Sequence, residues 1–129
     1  MKVRQIYETV LYATDLAQSA EFYKQVLGLP LLRQHEIVVV FDCAPGVLLI
    51  FDPVKASQSG RDVPNHGAQG PGHLAFSVEA EEIANWRQHL ADHGVAIEAE
   101  IKRGQVVSIY FRDPAGNSLE LVAGQIWGE

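Results

Sequence analysis

Gly72-His73-Leu74-Ala75-Phe76-Ser77-Val78 is the stretch on which the reading of this chain turns. Side chains along a strand alternate between two faces, so Leu74, Phe76 and Val78 share one face and His73, Ala75 and Ser77 share the other. The first face is apolar and suits packing against a helix. The second is small and polar with an imidazole at its start, as the wall of a cavity would be. The stretch follows the longest irregular segment of the chain and opens a second copy of the first half.

That second copy runs as a strand over 73–78, a helix over 81–93, and three more strands over 95–101, 106–111 and 118–122. Ile83, Trp86 and Leu90 form the apolar stripe of the helix, and Gly94 stops it. Asp113-Pro114-Ala115-Gly116-Asn117 is the tight turn before the last strand. The first copy has the same order. A strand covers 7–13. Asp15 stands as the N-cap of a helix, with Gln18 three residues on in capping-box position. Leu16, Ala20, Tyr23 and Leu27 follow at helical spacing, and Gly28 stops the helix with Pro30 just beyond it. Strands over 31–34, 37–42 and 47–51 complete a β-α-β-β-β unit.

Laid over each other, the copies match Glu8 with His73, Gly28 with Gly94, Phe41 with Phe111 and Leu49 with Glu120. One helix cannot cover both faces of such a sheet, so each inner face must curl around another sheet, a partner subunit or a ligand. The fold class expected is α+β, with two paired β-α-β-β-β modules forming a cupped, partly open mixed sheet. The domain reading is a single domain over 1–129, with module 1 at about 5–52, a linker loop at 53–71 and module 2 at about 72–123. Residues 52–71 carry Gly, Pro, Ser, Asn and Gln with no apolar period. Structureless loops longer than about 12 to 15 residues are uncommon inside compact domains, so this one is expected to be both a linker and a lid over a site.

The chain has 129 residues, 47% of them hydrophobic and 20% charged, enough for one compact soluble domain with a real core. A formal net charge of -6 disfavours nucleic acid and anionic membrane as partners. A single cysteine, Cys43, excludes a disulfide within the chain and fits a reducing cytoplasm. The first residues lack the apolar run of a signal peptide, and no run approaches the roughly 18 residues of a membrane span. A soluble cytoplasmic protein is the expectation.

The opening strand followed by Asp15-Leu16-x-x-Ser19-x-x-Phe22-Tyr23-x-x-x-Leu27-Gly28 resembles the start of vicinal-oxygen-chelate proteins. That superfamily includes glyoxalase I, bleomycin-resistance proteins, extradiol dioxygenases and fosfomycin-resistance enzymes. Gly72-His73-Leu74-Ala75-Phe76 and the run from Tyr110 through Asp113-Pro114-Ala115-Gly116-Asn117 to Leu121 resemble its second-module signatures. The likeness spans about 7–122. It implies a divalent metal, carried position by position onto Glu8, His73 and Glu120. The fourth position, a carboxylate in glyoxalase I, falls on Leu49, which cannot bind a metal and argues against a glyoxalase I site. Glu8 stands where many members place His, which argues against the two-His, one-carboxylate iron triad of the dioxygenases. The fosfomycin enzymes also usually carry His there, although Ser108-Ile109-Tyr110-Phe111 resembles their equivalent strand. In similar proteins of this length the modules pair across a homodimer, which would set Glu8 of one subunit against His73 and Glu120 of its neighbour. Pairing within the chain is the alternative.

On their own chemistry, Glu8 shares a face with Val10 and Tyr12, and a carboxylate there needs a partner. Arg4, Lys102 or Arg112 could supply an ion pair, and so could a metal. Glu120 points away from the face of Leu119 and Leu121. Two carboxylates and one neutral imidazole neutralise a dication and suit Zn, Mn, Fe or Ni without choosing among them. Glu8, released from the metal, could act as a catalytic general base. Tyr110 and Ser108 could line the cavity, and Arg61, Asn65 and His66 on the long loop could touch a substrate. His89 and His93 are read as a solvated helix flank, and Cys43 as structural.

Two functions fit. The first is a metal-dependent lyase, isomerase, epimerase or transferase acting on a small substrate with adjacent oxygens. The alternative is a metal-free small-molecule-binding protein of the bleomycin-resistance kind, in which the carboxylates are ion-paired or meet a cationic ligand.

Overall fold

The structure is a computed structural model that describes residues 1–128. The chain divides into two compact units, Met1–Gly70 and the part from Pro71 onward. The first unit runs β1 (Glu8–Tyr12), α1 (Leu16–Gln25), β2 (Leu31–Gln34), β3 (Val38–Cys43), β4 (Gly46–Phe51) and a short α2 (Pro53–Ala56). The second runs β5 (His73–Ser77), a 3₁₀ turn (Ala80–Glu82), α3 (Ile83–Asp92), β6 (Ala99–Arg103), β7 (Val106–Arg112) and β8 (Ser118–Ala123).

Each unit holds a four-stranded mixed sheet, in the orders β1-β4-β3-β2 and β5-β8-β7-β6. In each, the first strand runs parallel to the last and the other neighbours are antiparallel. A parallel pair needs a long crossover, and the helix with its following strands supplies it. Neither sheet closes on itself. The expected α+β architecture of two β-α-β-β-β units is therefore present.

Register keeps the duplication residue by residue. Glu8 lies opposite Val47 and Val10 opposite Leu49, while His73 lies opposite Ser118 and Ala75 opposite Glu120. Glu8 thus corresponds to His73, and Leu49 to Glu120, as the overlay of the two copies requires. Leu11, Val39, Phe41, Leu48 and Ile50 are buried on the helix side of the first sheet with Tyr23 of α1. Ile109, Phe111, Leu119 and Leu121 do the same in the second with Ile83 and Leu90 of α3. The alternating positions face the other way, and these carry Glu8, His73, Tyr110 and Glu120.

The helix boundaries follow local chemistry. The Asp15 carboxylate accepts the Gln18 amide at 3.0 Å. Gly28 and Gly94 both stand at φ +69°, where a side chain would be strained, and turn the chain out of α1 and α3.

Three boundaries differ from expectation. Residues 95–98 are not part of β6, because the Val95 amide donates back to the Leu90 carbonyl at 2.8 Å and belongs to the end of α3. The first turn of the second helix is 3₁₀. The long segment is not structureless: Asp52 caps α2 by accepting the Val54 and Lys55 amides at 2.9 and 3.1 Å, with Pro53 at the first helical position. At four residues, α2 is too short to show a period in sequence.

The rest of that segment is fastened to the first unit. The His66 amide donates to the Ala56 carbonyl at 3.0 Å, and the ring of His66 meets Phe51 edge-on at 4.6 Å between centroids. The Tyr12 hydroxyl and His66 Nδ1 are 2.7 Å apart. Among the described residues no helix is long and apolar enough to cross a membrane.

Candidate metal centre

β5 and β8 bring His73 and Glu120 together as diagonal neighbours, since His73 pairs with Ser118, two residues before Glu120, and Glu120 pairs with Ala75, two residues after His73. His73 Nε2 lies 3.3 Å from Glu120 Oε1. The other imidazole nitrogen, Nδ1, lies 3.0 Å from the Ser118 carbonyl. A carbonyl can only accept, so Nδ1 carries the hydrogen, and in the neutral ring Nε2 is left with a lone pair aimed at a carboxylate.

Two acceptors do not attract each other. Either the ring takes up a second proton, or a cation sits between them. Two donors each about 2.1 Å from a tetrahedral ion stand about 3.4 Å apart. The 3.3 Å spacing fits a divalent ion held between the two groups. The back-side hydrogen bond from Nδ1 to a carbonyl is also the arrangement that orients metal-binding histidines.

Burial adds to this. The Glu120 side chain is 8% exposed and that of His73 52%. A nearly buried carboxylate is costly without a counter-charge, and among the described residues only His73 stands close enough to pair with it. Arg112 is engaged elsewhere: its Nε and Nη2 donate to Glu98 at 2.7 and 3.0 Å and its Nη1 to the Gly116 carbonyl at 3.1 Å. That pairing holds the Glu98 carboxyl below its ordinary range.

The Asp-Pro-Ala-Gly-Asn turn is more than a reversal. Asp113, nearly buried, accepts the Ala115 and Asn117 amides at 3.0 and 2.8 Å and the Asn117 side-chain amide at 2.9 Å. Asn117 Oδ1 in turn accepts the Gly72 amide at 2.8 Å, and the Ser118 amide donates to the Gly72 carbonyl at 2.9 Å. The residue before His73 is therefore tied to the residues before Glu120. Sequence reasoning recognised the turn and missed this tether; the buried-capable Asp and Asn at its two ends were the available signal.

The other candidates fall as follows. Tyr110 pairs in register with Glu120, and its ring lies nearly parallel to that of His73 at 6.4 Å between centroids. Ser108 shares the face of Tyr110 and is fully buried, with no hydrogen-bond partner for its hydroxyl among the described residues. Glu8 is exposed on the first unit's sheet. Among the described residues no three imidazole, thiol or carboxylate side chains gather as a complete metal cage. Within the second unit the structure brings His73 and Glu120 together.

Arg61 lies on the first unit, 5.7 Å over the Phe51 ring, and donates to the Ala56 carbonyl at 3.2 Å. The Asn65 side chain donates to the Ser57 carbonyl at 2.9 Å. His93 Nδ1 donates to the His89 carbonyl at 2.8 Å on the exposed flank of α3. Burial and the neighbouring Asp42 push the Cys43 thiol up, away from the reactive thiolate.

The profile of the glyoxalase/bleomycin resistance protein/dioxygenase superfamily matches residues 5–121. The chain is 30% identical to the metallothiol transferase FosB of Bacillus licheniformis over 128 residues, covering 98% of this chain and 79% of that one. It is 31% identical to the glutathione transferase FosA of Serratia marcescens, covering 90% and 78%. A lactoylglutathione lyase from Agrobacterium tumefaciens superposes with a TM-score of 0.93 at 34% identity, over 100% of both chains. With its two β-α-β-β-β units and its signature turns, the chain belongs to the glyoxalase/bleomycin resistance protein/dioxygenase superfamily.

Proposed function

We propose that this protein is a divalent-metal-dependent enzyme acting on a small substrate with adjacent oxygens, and that a thiol takes part in its reaction. The observation that carries the reading is His73 Nε2 facing the nearly buried Glu120 carboxylate at 3.3 Å, with Nδ1 held by the Ser118 carbonyl. The thiol is suggested by what the similar proteins are: a metallothiol transferase, a glutathione transferase and a lactoylglutathione lyase.

In this reading His73 and Glu120 supply two ligands and Glu8 of a second copy of the chain supplies the third, giving two sites in a homodimer. A divalent ion held there supplies Lewis-acid stabilisation of negative charge that builds on a substrate oxygen. Zn, Mn, Fe and Ni all suit two carboxylates and an imidazole. The Ser118 carbonyl fixes the His73 ring, and Asn117 fixes the strand that carries it. Glu8 serves as the general base when it takes a proton from the substrate. Tyr110 and Ser108 line the substrate side. Leu49 in the fourth ligand position sets the site apart from that of glyoxalase I. The lone Cys43 suits a cytoplasmic setting.

The test is reconstitution. Chelator-treated protein, reloaded separately with Zn, Mn, Fe and Ni, is assayed for glutathione addition to small epoxides and for isomerisation of glutathione hemithioacetals. Metal-restored turnover of either kind supports the enzyme reading. Tight ligand binding with no metal uptake would replace it with the metal-free binding protein.

A further inference from the structure

The second unit carries a concavity of about 170 Å³ lined by Glu98, Ala99, Ile101, Tyr110 and Ser118. Two of these residues join it to the candidate metal centre: the Ser118 carbonyl accepts from His73, and the Tyr110 ring lies alongside the imidazole. Ala99 and Ile101 share one face of β6, opposite Tyr110 and Ser108 in register. Ile101 is 40% exposed, a large apolar side chain left open to solvent. At roughly 30 Å³ per water-sized group, the volume takes a chain of about five non-hydrogen atoms.

The charges around this wall are already matched. Arg112, on the face of Tyr110, spends its donors on Glu98 and on the Gly116 carbonyl. Glu98 is ionised and lies on the lining itself. Lys102 alternates to the opposite face of β6, while Arg103 shares the face of Ala99 and Ile101, one same-face step beyond Ile101, and pairs with Val106. An anionic group entering here would lose water and meet the Glu98 carboxylate on a lining to which no guanidinium contributes, which is costly.

Resting on the metal-enzyme reading, we infer that the substrate presents a small uncharged apolar group to this wall while its adjacent oxygens face His73 and Glu120. A tail bearing a carboxylate or phosphonate is rejected there. Ile101 and Ala99 are then specificity determinants, and Glu98 is the residue that excludes anions.

Three hydroxamates with identical chelating oxygens separate the tails: acetohydroxamate, butyrohydroxamate and the monohydroxamate of succinic acid. Their affinities for the metal-loaded protein are measured by titration calorimetry. Butyrohydroxamate should bind about tenfold more tightly than acetohydroxamate, as burial of two methylenes would give. The succinic compound should bind no more tightly than acetohydroxamate. Ile101→Asp should remove the preference for the propyl tail, and Glu98→Gln should raise the affinity of the succinic compound. Equal affinity for all three, or tightest binding of the succinic compound, overturns this inference and leaves the metal reading standing. Failure of every hydroxamate to bind the metal-loaded protein overturns the metal reading, and this inference with it.

Discussion

His73 Nε2 and Glu120 Oε1 stand 3.3 Å apart on neighbouring parallel strands, one side chain half exposed and the other nearly buried. Their meeting depends on register. A slip of one residue between β5 and β8 would send one of them to the helix face. What prevents the slip is at the strand entrances, where Asn117 holds the Gly72 amide at 2.8 Å.

Asn117→Ala removes that tether and leaves the Gly72 amide and the buried Asp113 short of a partner. Losing buried hydrogen bonds of this kind costs about 1–3 kcal/mol. We predict a lower urea midpoint and, because His73 loses its orientation, a metal affinity weaker by about tenfold. Paired urea melts and metal titrations check both. A variant that loses stability and keeps parent affinity would show that Asn117 serves the fold alone.

Gly46 starts β4 where the backbone passes close to the strand before Glu8. A β-carbon there would stand 2.8 Å from the Tyr7 carbonyl oxygen, a backbone atom that cannot rotate away. Gly46→Ala should destabilise the first unit by about 1–3 kcal/mol. Amide exchange should show the loss centred on the Tyr7–Val47 hydrogen bond, which measures 3.0 Å in the parent.

Glu98 and Glu100 are both held below the ordinary carboxylate value of 4.5, by hydrogen bonds from Arg112 and Arg87 respectively. A carboxyl whose folded pKa is depressed stabilises the fold above its unfolded pKa, and the contribution fades as pH falls through the folded value. Arg112→Gln should therefore be slightly less stable than the parent at pH 7, and the two should converge as the solution is acidified below 4.5. Both groups are exposed, so the gap is small. Thermal melts at pH 7, 5 and 3 report it, and a gap that widens in acid would contradict the assignment.

Tyr12 and His66 fasten the segment after α2 to the first sheet through a 2.7 Å contact. Tyr12→Phe keeps the ring and removes the hydroxyl, at a cost of about 1 kcal/mol. Cleavage by trypsin after Arg61 should then be several-fold faster, with the fold otherwise intact by circular dichroism. Unchanged cleavage would mean that the Phe51 contacts of Arg61 and His66 hold the segment without it.

Much of this was legible in the chain itself. Alternation around His73 and the two Gly-stopped helices fixed the duplication, and duplication put Glu8 with His73 and Leu49 with Glu120 before any register was seen. What escaped was local or long-range. The α2 helix is one turn held by a cap. The start of β6 depends on a hydrogen bond from Val95 back to α3. The tether from Asn117 to Gly72 joins residues 45 apart in sequence. Arg61 reads as a loop residue that could touch a substrate, yet it is laid on Phe51 by a fold that periodicity does not describe.

The most direct measurement is metal content. Protein purified without chelator or histidine tag, beside His73→Ala and Glu120→Ala, should carry close to one divalent ion per chain, and each variant should carry almost none while staying folded. Metal retained in both variants, or no uptake by the parent after exposure to Zn, Mn, Fe and Ni, would contradict the assignment of His73 and Glu120 as ligands.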